Sequence, residues 1–403
     1  MKNVSRRQLL QGGLRLAGGT LLAGIPGCAG PVRDEANAGF LDMPVSQPGR
    51  AVLGFYDSGN MPEVCARVIP QITDMAWLSP GDSVFIKVAC NSPRPHPAVT
   101  SPDAVRALVG FLRNHGADPV YVGDQAGVEH VRLTASGRQS STREAMASNG
   151  LLEAVEDMHA VLHCFDDQGW DGYFRAESDF PDLWDRGLWL PKILQEVDHV
   201  INLPRLGSHG ISGYSCGVKS AVGWLRDDSR LQLHRRGEVF FEQMAEISHF
   251  RPIRDKLRFT LTMAEKALLN IGPDLGSAYD FGGVLALGST RLVDHDLLAS
   301  SLLPWLDADD CSFFDLYSPY PKHSNWWNRW LLKQTWGKEV LASSSQLLPY
   351  HPEKGLAFDR CLSHLATLER YRPEHVAVWT GDEPLPDGLL AHLTQFDNGV
   401  FSI

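Results

Sequence analysis

His209 and Lys219 stand ten residues apart in the stretch Val200–Leu225, V-I-N-L-P-R-L-G-S-H-G-I-S-G-Y-S-C-G-V-K-S-A-V-G-W-L. An imidazole ligates metals or moves protons near neutral pH, and a lysine amine can tether a carbonyl or neutralise an anion. Gly207, Gly210, Gly213, Gly217 and Gly223 punctuate the same stretch, and glycine lets a backbone come close to a ligand. The combination is a candidate seat for a cofactor or substrate, with Lys219 and His209 catalytic and Gly213, Tyr214 and Gly217 on the cofactor side. Sterics alone also put glycines in strand-to-helix turns, and loop histidines are most often solvated. A Walker phosphate loop is excluded by spacing, because Gly213 and Gly217 enclose three residues instead of four and Val218 precedes Lys219. His234, fifteen residues beyond Lys219, is a second candidate metal ligand beside His209.

The elements that must position these groups are legible upstream. Val200, Ile201 and Leu203 read as the end of a buried strand that Pro204 stops. Ala51–Tyr56 reads as a first strand, and Val84–Ala89 as a second that delivers Lys87, Cys90 and Asn91 at its carboxyl end. Three prolines stiffen Ser92–Pro97 around His96, a candidate general base. Ser101 caps and Pro102 opens a helix whose apolar residues recur with helical period to Leu112. Pro119–Gly123 follows as a third strand that ends at Asp124. Strand, helix and strand at this spacing form a parallel, right-handed βαβ unit. Lys87, Asn91 and Asp124 then converge where open α/β sheets bind ligands. The plainer reading has Lys87 terminating a strand while Asn91 and Asp124 cap turns.

Residues 125–187 read as a lid or specificity insertion, with a helix near Arg143–Met158 and a strand at Ala160–Phe165. Pro191–Val197 is a short helix, His199–Leu203 the strand into the central loop, and Glu238–Ser248 a helix. Strands at Arg258–Leu261 and Gly283–Leu287 enclose a helical Ala264–Leu269 and the turn Gly272-Pro273. The fold class is α/β: an open, largely parallel sheet with flanking helices and an added C-terminal helical layer. Trp326, Trp327, Trp330 and Trp336 crowd that last part, as core packing, a pocket roof, a dimer patch or a membrane contact.

The run N-L-P-R-L-G-S-H-G…G-V-K-S-A-V-G resembles the signature of family 362 of the domains of unknown function. I-K-V-A-C-N, L-N-I-G-P and L-A-L-G-S-T-R-L-V-D-H-D extend the resemblance over roughly Val52–Leu303. The central loop is also similar to that of the lactate racemases that use a nickel-pincer nucleotide. That resemblance implies a cofactor tethered at Lys219, with His209 serving the site and His96 matching a proton-transfer histidine. Arg205, Gly207 and Cys216 depart from those patterns. The implied activity is a cofactor- or metal-dependent isomerase or oxidoreductase for a small hydroxy or carboxylate substrate. A metal- or anion-binding or maturation protein without catalysis is the other reading.

Ser5-Arg6-Arg7-Gln8-Leu9-Leu10 matches a twin-arginine export signal, and the glycine-diluted run to Gly27 is too weakly apolar to span a membrane. The expected division is a signal peptide at 1–28, a linker at 29–48, the α/β domain at 49–303 and the extension at 304–403. The expected partner during export is the twin-arginine translocase and the expected location the periplasm, with Cys28 a candidate for a lipid anchor. That route exports folded chains, which fits a cofactor loaded beforehand. The net charge is −11, and loss of residues 1–28 removes Lys2, Arg6, Arg7 and Arg15 but no acid. Such a surface repels nucleic acid. The seven cysteines contain no C-x-x-C, so no iron–sulfur cluster is expected, and reduced, buried thiols are expected after folding before export. Nothing in the chain indicates an oligomeric state.

Overall fold

The computed structural model describes residues 49–306 and 360–402, apart from 58–59, 178–182, 185–186, 210–211, 237–238, 270–271, 371–375, 382–383 and 396–400. The signal, the linker, Cys28 and the tryptophan-rich stretch lie outside the described residues. In chain order the main elements begin with β1 (Gly49–Tyr56), α1 (Met61–Ile72), β2 (Val84–Val88), α2 (Pro102–Asn114) and β3 (Val120–Gly123). The insertion holds β4 (Arg132–Thr134), β5 (Gly137–Gln139), α3 (Thr142–Asn149), α4 (Leu151–Asp157), β6 (Val161–Leu162), β7 (Tyr173–Ala176) and β8 (Leu188–Pro191). Then come α5 (Ile193–Glu196), β9 (His199–Leu203), β10 (Gly207–His209), β11 (Gly213–Ser215), α6 (Gly217–Ser220), α7 (Asp227–Arg235), α8 (Phe240–His249) and α9 (Arg251–Arg254). A long hairpin of β12 (Leu257–Leu269) and β13 (Ser277–Ser289) leads to α10 (Leu292–Leu306). The described tail adds α11 (Arg360–Leu368), β14 (Val376–Trp379), α12 (Leu389–Gln395) and β15 (Phe401–Ser402).

The main sheet runs β15-β14-β1-β13-β12-β9-β2-β3-β6, with β10 and β11 attached beside β12. Strands β12, β9, β2, β3 and β6 are mutually parallel, while β13 is antiparallel to both β12 and β1. Strand periodicity decides the two faces. Ala51, Leu53 and Phe85 join one apolar cluster with α8, α10 and α11, whereas Val52, Val84 and Ile86 join another with α1 and α2. Both faces are covered, which is why these strands read as continuous apolar runs. The βαβ unit forms as expected: Ser101 caps α2 through Ala104 N–H at 3.3 Å, and β2 pairs in parallel with β3.

Three expectations are corrected. Ala264–Leu269 is not helical but the second half of β12, paired residue by residue with β13 from Lys266↔Asp280 to Leu269↔Ser277. Its Ala-Glu-Lys-Ala-Leu-Leu composition favours helix, and cross-strand pairing overrides that weak preference. The helix at Arg143–Met158 is two helices, because Gly150 adopts φ 87° between α3 and α4. The tail is more than a helical layer, since β14 pairs in parallel with β1 and β15 with β14.

Candidate functional site

Lys219 sits on α6, a single turn held from three sides. Asp296 of α10 accepts the backbone N–H of Gly217 at 2.9 Å and of Val218 at 2.8 Å. Asn202 of β9 donates to Gly217 O at 3.0 Å, and Lys87 of β2 donates to Ser220 O at 3.1 Å. Below the next turn, Phe85, Phe165 and Trp224 stack, with centroids 5.7 Å and 5.1 Å apart in succession. Side-chain alternation puts Lys87 on the same face of β2 as Phe85, and so beneath this loop. Its ammonium pairs with Asp124 Oδ1 at 2.7 Å, both groups buried. Asp124 Oδ2 accepts Cys90 N–H at 2.7 Å. A Cβ on Gly223 would lie 2.6 Å from Lys87 Nζ, so only glycine lets the chain cross this ion pair.

Above it lies a cavity of about 110 Å³ at the carboxyl ends of β2, β3 and β9. Its wall includes Asn91, Asp124, Glu129, Arg205, His209, Lys219, Arg230 and His234. The Arg230 guanidinium is spent on backbone: it donates to Leu225 O (2.8 Å), Ala126 O (2.7 Å), Gln125 O (3.0 Å) and Gly223 O (2.9 Å). It therefore fastens the segment after β3 to the loop after α6 and leaves a net positive charge beside the cavity. Burial, then the charges of Arg230, Arg205 and Lys87, bring the Lys219 amine down to about 7. Among the described residues that amine has no hydrogen-bond or ion-pair partner.

The two imidazoles are neutral at pH 7 and differ in tautomer. Burial brings His234 down to about 4, and its Nδ1–H donates to Arg230 O at 2.7 Å, which leaves the ring's lone pair on Nε2. Burial, with Lys219 and Arg205 adding, pushes His209 well below the ordinary histidine value. Its Nδ1 accepts Ser212 N–H at 3.3 Å, so Nε2 carries the proton. One ring is an acceptor and the other a donor.

The structure thus gathers Lys219, His209, His234, Asn91 and Asp124 around one cavity, with Lys87 beneath. His96 lies apart from it. His96 Nδ1–H donates to Val99 O at 3.1 Å, and Nε2 accepts Lys266 N–H at 3.2 Å beside Glu265 at 3.3 Å. Those bonds dock the proline loop on β12. Gly213 and Tyr214 pair with His209 and Ser208 in the β10–β11 hairpin, and Gly217 packs on Asp296. The sequence reading missed Arg230, Glu129 and Asp274 and treated Arg205 only as a departure. The one available signal was the segment V-G-D-Q-A-G-V-E-H following β3 at the sheet's ligand end.

These features define an α/β protein with a small cationic cavity at the carboxyl ends of its parallel strands. The chain belongs to the family described as domain of unknown function DUF362, which matches residues 84–300. It is 25% identical over 205 residues to the thylakoid-associated protein sll1697 of Synechocystis sp., covering 48% of this chain and 57% of that relative. It also aligns with the solved lactate racemase apoprotein from Thermoanaerobacterium thermosaccharolyticum at a TM-score of 0.37 and 13% identity, over 64% of this chain and 60% of that one. The chain therefore spans somewhat less than two thirds of either protein.

The resemblance of the central loop implies a lysine-tethered nucleotide. The donors suit an anionic group, but the space does not: about 110 Å³ is less than the roughly 150 Å³ cavity that admits a benzene ring. The enclosed space would take up no more than part of a nucleotide.

Proposed function

We propose that this cavity is the active site of an isomerase-type enzyme that moves a proton on a small 2-hydroxy-acid anion. The observation that carries the reading is the Lys219 amine, which faces the cavity without a partner among the described residues and titrates at about 7. A base with that value is half available and half protonated at neutral pH, the condition for accepting and returning a proton. The Lys219 amine takes the proton from the carbon next to the carboxylate. The electron pair of the broken C–H bond enters an enediolate, whose oxygen charge faces the Arg205 guanidinium and the Nε2–H of His209. A neutral imidazole donor is well matched to such an oxygen. His234, with its lone pair on Nε2, accepts from the substrate hydroxyl. Return of the proton from the Lys219 ammonium to the same face of C2 regenerates the substrate and gives exchange alone, whereas return to the opposite face, after the enediolate turns over in the cavity, completes the isomerisation.

The test is deuterium wash-in at C2 of small 2-hydroxy acids, followed by proton NMR in D₂O. Wild-type protein exchanges, and Lys219→Met and Lys219→Arg each lose at least ~100-fold, since arginine keeps the charge but not the base. Undiminished exchange in Lys219→Arg would sink the reading. Arg205 and Arg230 favour a second one, an anion-binding protein without chemistry, which predicts tight binding without exchange and little effect of Lys219→Arg.

We further propose that the twin-arginine segment exports the folded chain to the periplasm, where Cys28 is the point of lipid attachment. Among the described residues no helix is long and apolar enough to cross a membrane. Replacing Arg6 and Arg7 by lysine is expected to leave the chain in the cytoplasmic fraction, and unchanged fractionation would count against export by this route.

A further inference from the structure

Two groups of metal-capable side chains lie among the described residues. Cys216, His295 and Asp296 are one, wholly buried and already bonded into the fold. His295 Nδ1–H donates to Asp296 at 2.7 Å, its Nε2 meets Thr262 Oγ1 at 3.1 Å, and Asp296 takes the two backbone N–H groups of α6. That group is a fastening of α6 to α10 and β12. The other group reaches the cavity through Glu129.

We propose that Glu129, His130 and Asp274 hold a divalent cation at the rim of the cavity, and that this cation and Arg205 together chelate the anion. The identity of the anion rests on the reading above, whereas the cation site does not. Glu129 and His130 come from the loop after β3, and Asp274 from the turn between β12 and β13. One ligand atom from each lies within 4.8 Å of the others. His130 Nε2 is 2.7 Å from Asp274 Oδ2, and the Asn91 amide donates to the other oxygen of Asp274. Such outer hydrogen bonds orient the carboxylates of metal sites. Glu129, Asn91 and Pro273 line the cavity, and His130 and Asp274 are the chain neighbours of Glu129 and Pro273.

A separate observation points to what the cation would hold. Arg205 is 2% exposed and lines the same cavity, its Nη1 donates to Pro97 O at 3.3 Å, and its Nη2 has no partner among the described residues. The charges of Arg205 and Asp274 are near enough to act on each other. A buried guanidinium nitrogen without an acceptor is costly, and a ligand carboxylate supplies the acceptor. One imidazole and two carboxylates suit Mn²⁺, Fe²⁺ or Zn²⁺ and leave coordination positions open. A 2-hydroxy or 2-keto carboxylate fills two of them through its carboxylate and neighbouring oxygen, with the second carboxylate oxygen toward Arg205. The cation then adds to the charge stabilisation that proton removal requires.

Mn²⁺ binding to the full chain, read by loss of the free-ion electron paramagnetic resonance signal, tests the site without reference to turnover. One equivalent is expected in the wild type, weakened at least tenfold in His130→Ala and Asp274→Asn and unchanged in His234→Gln. Glu129→Gln, at an exposed position that leaves the His130–Asp274 bond in place, is expected to weaken it as well. No binding in the wild type overturns the proposal, as does binding that survives His130→Ala and Asp274→Asn or is lost only in His234→Gln. Oxalate, a small chelating dicarboxylate, is the probe for the anion: it tightens Mn²⁺ binding in the wild type and not in Arg205→Met. Oxalate that merely strips Mn²⁺ from the wild type overturns the joint chelate. The Lys219 variants bind Mn²⁺ normally, so failure of the proton-transfer reading and failure of the cation site give different results.

Discussion

At the scale of single residues the site is governed by uncompensated positive charge. Arg205 and Arg230 are buried without a carboxylate among the described residues bonded to either guanidinium, and Lys219 gives up its proton at about 7 in their field. An anion in the cavity reverses that balance by favouring the ammonium. The sign follows directly: a ligand that prefers protonated Lys219 binds with constant affinity below about pH 6 and more weakly as pH rises through 7, by up to about tenfold per unit. Calorimetric titration of oxalate between pH 6 and 9 measures the slope. Lys219→Arg is expected to flatten it while keeping affinity, and a slope that persists in that variant assigns the proton to another group.

At the scale of elements the question is how a four-residue helix holds a lysine in place. Propensity cannot stabilise a single turn, so the fixing comes from outside, chiefly from Asp296. Its two oxygens accept the first two N–H groups of α6. Asp296→Ala leaves those donors buried and unpaired, at about 1–3 kcal/mol each. The expected outcome is a lower denaturant midpoint together with a Lys219 titration moved toward the ordinary lysine value as the turn loosens. The second readout separates positioning from mere stability, and can be followed by pH-dependent amine labelling and peptide mass spectrometry. A drop in midpoint with an unmoved Lys219 titration would count against positioning.

At the scale of the whole molecule the described tail completes the sheet. β14 covers the edge of β1 with parallel pairs from Gly49↔Val376 to Val52↔Trp379, and α11 packs on α8, where His364 meets Glu246 at 3.2 Å. Removing residues 376–403 uncovers the Gly49–Val52 half of β1, and an unpaired apolar edge recruits other chains. Such a truncation is expected to aggregate on mild heating, measured by light scattering. A monomeric truncation with unchanged melting would refute a closing role for β14.

The sequence by itself determined what local chemistry decides. Capping at Ser101, Pro102 at the helix start and the strand read at Val84–Ala89, which forms over Val84–Val88, all depend on near neighbours, and each stands where its residue types imply. It also carried the α/β class and the family, because both rest on short runs of residues. Tertiary structure alone decided the rest. Ala264–Leu269 became strand because β13 lay opposite, and His96 was drawn away from the cavity by Val99 and β12. Arg230 became a backbone clamp through carbonyls up to 105 positions distant. Asp274 reached His130 across 144 residues, a separation at which residue type and spacing hold no information, since only the folded sheet brings the two loops to one rim.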